Sequence, residues 1–268
     1  MKAFRRLLPT AMLIVLAGCS LEDPYEPDPG ETFENLYVPS DYATLTVAIA
    51  AAATWDTIRV APGDYEESFT LPIDVSLIGA AAERTFIIGQ VTINDSSIDA
   101  RFEGVHVSNP DGSGLLLIDA SPQISHCRFE DCDDAGVEIV GNSATEIEGC
   151  QITGNARGVV IRDSDQAGHY WDFDHLYGSA PKITSSNLFN NGGLDTLAIN
   201  IVFENISAPD TIGVSGNYWG LPAGPRAADL TIFDNKDGAP YWNGYADTEK
   251  DGVGFLTSEH TLAWQWDD

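Results

Sequence analysis

The densest group of chemistry-bearing side chains is "DQAGHYWDFDHLYGSAP", residues 165–181. Nine consecutive positions hold His169, Tyr170, Trp171, Asp172, Phe173, Asp174, His175 and Tyr177. Rings of this kind stack on sugar faces, and neighbouring carboxylates accept hydrogen bonds from sugar hydroxyls. His169, Asp172 and His175 could instead hold a metal ion. The plainer alternative is a loop packed on itself. Two smaller acidic groups stand apart from it. "DCDDAGVEI", 131–139, offers carboxylates that could form the pair used in glycoside hydrolysis, or serve only as turn residues. "IRDSD" places Arg162 beside Asp163 and Asp165, a base next to cation-binding acids. "DNKDG", 234–238, lacks the sixth-position glycine of an EF-hand loop. It leaves at most weak Ca²⁺ binding, and no other cofactor is implied.

The elements that position these groups sit in an acidic chain. Its 268 residues carry 13 Lys and Arg against 41 Asp and Glu, a net charge of −28. The first eighteen residues contain Lys2, Arg5 and Arg6 and no acid, so the remainder is more acidic still. Such a surface repels phosphate backbones and excludes nucleic acid as a partner. It can attract cations or basic proteins. A hydrophobic fraction of 43% excludes general disorder.

"MKAFRRLLPTAMLIVLAGCS" opens basic, turns apolar from Leu7 to Leu16 and ends in small residues. This is the pattern of a secretory leader, residues 1–18. Leu16-Ala17-Gly18-Cys19 resembles the bacterial lipobox. The resemblance implies cleavage before Cys19 and diacylglycerol on its thiol, so that membrane lipid is the first expected partner. Ser20 after the cysteine favours the outer membrane or cell surface. Residues 19–36 interleave acids with Pro24, Pro27 and Pro29 and read as an extended tether.

The domain expected over 37–268 begins with a helix period: Leu45, Ala48, Ile49 and Ala52. Ser40 or Asp41 is the expected N-cap of a helix over 41–53. Short alternating runs broken by Gly, Asn and Asp follow. Three of them repeat. Val107, Phe129 and Ile152 correspond, as do Gly114, Gly136 and Gly158, each glycine leading into an alternating apolar strand. Leu188 with Asn191, and Val214 with Asn217, align to Ile152 with Asn155. A period near 22 with short strands is one coil of a parallel β-helix. Stacked coils bury one core, asparagines ladder at a turn, and glycines supply positive-φ corners. The helix caps the open end. Cys127 and Cys150 each sit two residues before an inward position, so both point inward on adjacent coils, as a disulfide or as a buried thiol ladder. Cys132 is left unpaired by that arrangement.

The stretch "YATLTVAIAAAATWDTIRVAPGDYEESFTLPIDVSLIGA" resembles the opening of pectin-lyase-like right-handed parallel β-helix proteins, and "SGNYWGLPAGP" resembles a segment near the C-terminus of their secreted, non-catalytic members. Gly63-x-Tyr65-x-Glu67 matches a pectin methylesterase signature. The other segments that family uses for catalysis are absent. So are the Gly-His-Gly and Arg-Ile-Lys of polygalacturonases, which "DCDDAGVEI" faintly resembles, and any pectate lyase motif around "IRDSD". In such folds a loop like 165–181 leaves the barrel and lines a lateral groove. The resemblance implies an all-β, single-stranded right-handed β-helix with a helical cap. The expected function is a monomeric, non-catalytic envelope lipoprotein that presents a rigid acidic surface to a glycan or an envelope protein. The alternative is a divergent polysaccharide-active enzyme, a lyase or hydrolase on uronate-type polymers.

Overall fold

A computed structural model of the chain describes residues 33–97, 99–162, 181–192, 201–204, 212–213, 217–219, 230–233 and 246–247. Residues Phe33–Asp268 cluster as one compact unit. Its strands run in three parallel sheets, which the chain visits in turn. Among the described residues six complete coils result: coil 1 (57–71), coil 2 (76–94), coil 3 (101–118), coil 4 (123–140), coil 5 (146–162) and coil 6 (182–204). In each coil the first strand belongs to sheet 1, the second to sheet 2 and the third to sheet 3. The expected right-handed parallel β-helix is therefore the observed fold.

Period and burial agree column by column. Val107 pairs with Phe129, Phe129 with Ile152 and Ile152 with Leu188. In sheet 3, Ile93, Leu117, Ile139 and Ile161 stack in the same way. All of these are buried in one cluster running the length of the solenoid. Each side chain packs on its counterpart a coil away, about 4.8 Å off, so no coil could hold its apolar face alone.

The cap is shorter than expected. The helix α1 spans Leu45–Ala51, and Thr44, not Ser40 or Asp41, is its N-cap, accepting from Val47 N. The earlier residues are occupied otherwise: Asp41 N and Tyr42 N both donate to Tyr37 O, which closes a turn ahead of the helix. Leu45 and Ala48 are fully buried, with Ile49 and Ala52 packed against the core. The strand Asn35–Val38 pairs with Thr57–Val60 and buries Leu36. The solenoid thus starts before residue 37, inside the expected tether.

Two further expectations change. Gly104, Gly141, Gly149 and Gly154 do supply positive-φ corners, but Gly114 and Gly136 of the repeated column are not among them. They are required for space: a Cβ on Gly114 would lie 2.8 Å from Cys132 Sγ, and one on Gly136 would lie 2.7 Å from Asn155 Nδ2. The asparagine ladder exists between Asn155 and Asn191 as expected, but without Asn217. Asn155 Nδ2 donates to Asn191 Oδ1 at 3.1 Å and to Phe129 O at 2.9 Å, and Asn191 Nδ2 donates to Ile152 O. Asn217 serves the opposite corner, accepting from Ser186 N and donating to Ile183 O. Tyr218 pairs with Asn187, which puts Trp219, not Val214, next in register below Leu188. Trp219 is 1% exposed. An amide fits either corner, so the asparagine misled the alignment; the larger apolar side chain takes the inward column. Val214 lies outside the described residues.

Candidate functional site

The residues 163–180, and with them His169, Tyr170, Trp171, Asp172, Asp174, His175 and Tyr177, lie outside the described residues. So do Cys19, Asp163, Asp165 and "DNKDG". The remaining candidates are placed, and most have structural duties. Glu67 turns back to the cap: its carboxylate accepts from Leu45 N at 3.0 Å, Thr46 N at 2.9 Å and the Thr46 hydroxyl at 2.6 Å. Partial burial pushes its pKa up, but these hydrogen bonds outweigh that and leave it lowered. Tyr65, whose hydroxyl donates to Ala61 O, has its pKa raised by burial and by Glu67. Two residues of the esterase-like signature thus hold the cap and the first coil. Asp134 of "DCDDAGVEI" takes Arg157 Nε at 2.7 Å from the next coil, and Asp131 forms a left-handed corner with φ of 56°. Both act as turn residues.

Cys127 and Cys150 point inward on adjacent coils, fully buried, as expected. Both are free thiols, as is buried Cys132. Cys127 Sγ faces Phe102 O and Ser125 O, and Cys150 Sγ faces Glu148 O. Burial first, and the neighbouring Cys150, push the Cys127 thiol well up; burial pushes Cys132 up to about 11. Thiols this reluctant to ionise pack as small apolar groups.

The outer faces of the sheets bring together residues that adjacency in sequence did not suggest. On sheet 2 the register aligns Phe86, His106, Arg128 and Gln151 in one outward column, and Asn187, which continues it, is fully buried. A second column aligns Glu130, Thr153 and Phe189. Glu130 is the centre. Its Oε1 accepts from Gln151 Nε2 at 2.7 Å and the Thr153 hydroxyl at 2.9 Å. Arg128 Nε stands 3.8 Å from Oε1, and His106 Nε2 stands 3.8 Å from Oε2. Three successive coils therefore converge on one carboxylate. The His106 ring leans on Phe86, with centroids 5.2 Å apart and planes tilted by 48°. Its pKa is lowered, chiefly by burial and also by Arg128, against the opposing pull of Glu130, Asp131 and Glu83. A ring so placed is neutral at neutral pH and able to take a proton. Further along the same face Phe189 and Tyr218 meet edge-on at 5.6 Å.

Two other carboxylates mark the neighbouring faces. At the corner from sheet 1, Glu103 binds Arg101 at 2.8 Å and faces His126 Nδ1 at 3.6 Å. On sheet 3, Glu138 accepts from the Ser113 hydroxyl at 2.7 Å and is ion-paired with Arg162. Its side chain is 7% exposed, against 22% for Glu130. Among the described residues no group of three or more His, Cys, Asp or Glu could hold a metal ion.

A family description, right handed beta helix region, matches residues 88–248, and the chain belongs to that family. No curated protein matches it at a significant level. Among solved structures it is similar to pectin methylesterase PemA from Erwinia chrysanthemi, with 12% identity over 84% of this chain and 88% of that one, at a TM-score of 0.42. It is similar to the Aspergillus niger pectin methylesterase, with 15% identity over 91% and 94% at 0.41. It is also similar to the A-module of the Azotobacter vinelandii mannuronan C-5 epimerase AlgE4, with 12% over 79% and 93% at 0.29. Identities this low carry no activity across.

Proposed function

We propose that the chain acts on a polysaccharide seated on the outer face of sheet 2. The convergence of His106, Arg128, Gln151 and Thr153 on Glu130 carries this reading. His106 is the base that takes a proton, and Glu130 orients it. Arg128 faces Glu130 and helps to hold it in place, and Phe86 offers a ring against which a sugar can stack. This favours the polysaccharide-active alternative over a purely presenting role. Incubation of the purified chain with a panel of plant and bacterial polysaccharides tests it, with new reducing ends or unsaturated products as readout. Product from the wild type and none from His106→Ala is expected. No product from any polymer sinks the catalytic reading.

One observation favours the quieter reading. Every partner of Glu130 belongs to the same face, so the cluster is also complete as a binding surface without chemistry. In either role the proposed address is the bacterial envelope, through lipid on Cys19. Replacing Cys19 with Ser should then release the protein from membranes, and persistence in the membrane fraction counts against the anchor.

A further inference from the structure

We infer that the outer face of sheet 2 takes a linear, uncharged polysaccharide, laid along the solenoid axis between the Phe86–His106 and Phe189–Tyr218 ring pairs. This rests on the proposed polysaccharide reading and narrows its substrate class away from uronate polymers.

Three observations lead there. The first is periodicity. Outward columns repeat once per coil, about every 4.8 Å, comparable to the advance per sugar ring of an extended glycan. Phe86 stands in coil 2 and Phe189 in coil 6, so the two aromatic platforms are roughly 20 Å apart at that spacing. Between them lie the half-buried amide of Gln151 and the Arg128–Glu130 pair, with Thr153 buried beneath Glu130.

The second is the use of cations. The chain carries a net charge of −28, and its basic residues in coils 3 to 6 are committed to carboxylates. Arg101 holds Glu103, Arg128 faces Glu130, Arg157 holds Asp134, Arg162 holds Glu138 and Lys182 faces Glu146. Arg128 is the cation on the columns of sheet 2 and already has its counter-charge. A polymer with a carboxylate on each sugar would need several uncommitted cations to offset both its own charge and the field of the chain.

The third is the border of the face. Asp64 is exposed in register beside Phe86, and Glu83 and Asp131 both act on His106. Arg84 adjoins Glu83 in sequence and leaves that corner balanced rather than basic. An uncharged glycan meets no repulsion at such a border and gains ring stacking at both ends.

Calorimetric titration of the purified full chain distinguishes the cases, using glucomannan and xylan oligosaccharides as neutral probes and oligogalacturonate and oligomannuronate as acidic ones, at low and high salt. The expected result is binding of a neutral oligosaccharide that salt leaves unchanged. Phe86→Ala and Tyr218→Ala should each weaken it roughly tenfold, with unaltered melting temperatures showing that both variants fold. Preference for an acidic oligosaccharide, or neutral binding that neither variant weakens, overturns the inference and leaves the polysaccharide reading standing. Binding of no probe overturns that reading itself.

Discussion

Glu130 and Glu138 are eight residues apart, on the outer faces of neighbouring sheets in the same coil. They are used in opposite ways. Glu138 is nearly sealed, with one oxygen on Ser113 and the other on Arg162. Glu130 is reached from His106, Arg128, Gln151 and Thr153 and keeps about a fifth of its side chain in solvent. A buried carboxylate with one cation and one hydroxyl is part of the frame, because removing it strands both partners. A half-open carboxylate that gathers a neutral imidazole and a guanidinium is suited to meeting something from outside. The depth and completeness of the shell, rather than the residue type, separate the two.

The largest expected effect comes from Glu138→Ala. It leaves Arg162 and Ser113 without their acceptor and should cost about 3 kcal/mol, seen as a lower denaturant midpoint. A loss under about 1 kcal/mol would place Glu138 with Glu130 and erase the contrast. Gly136→Ala, in the same coil, should cost about 2 kcal/mol by overpacking against Asn155 and Gly158. A third carboxylate grades between the two: Glu67→Ala removes the acceptor for Leu45 and Thr46 and should cost about 1 kcal/mol. Because its pKa is lowered, that contribution is present above 4.5 and is lost as pH falls through the lowered value, so acid titration should narrow the gap between wild type and variant.

Glu130→Gln should barely move the melting temperature, yet abolish product formation. Comparable losses of stability and activity would mean that Glu130 too belongs to the frame. The smallest effect is a pH dependence. His106 has its pKa lowered below 6.5, so the unfolded chain takes up the proton first. Its contribution to stability is whole above 6.5 and declines as pH falls toward the lowered value. His106→Gln should flatten the melting-temperature profile in that window, and an unchanged profile would count against a buried neutral ring.

The inward columns were legible in the sequence, because a repeated alternation with one apolar side chain per strand leaves few ways to stack. The glycine column was legible as a repeat, though its cause is the close approach of Cys132 and Asn155, which only neighbouring coils reveal. The cap was visible from Leu45 and Ala48. Its N-cap was not, since Asp41 is as good a cap as Thr44 until the Tyr37 turn claims it. The sheet 2 cluster was missed because outward positions show no period of their own. His106, Arg128 and Gln151 occupy one position of the repeat that Val107, Phe129 and Ile152 defined, and reading the residue before each inward one would have found them.

The strict register has a consequence for change in length. An extra residue inside Arg157–Arg162 would shift the rest of that strand by one and turn Val159 and Ile161 out of the core. A corner tolerates addition, because the next strand can still find its column. The chain records this: five residues join the third strand of coil 4 to the first of coil 5, and nineteen join coil 5 to coil 6, yet Ile183 still falls beneath Ile147. The solenoid behaves as a ruled page, on which new text can be added only in the margin.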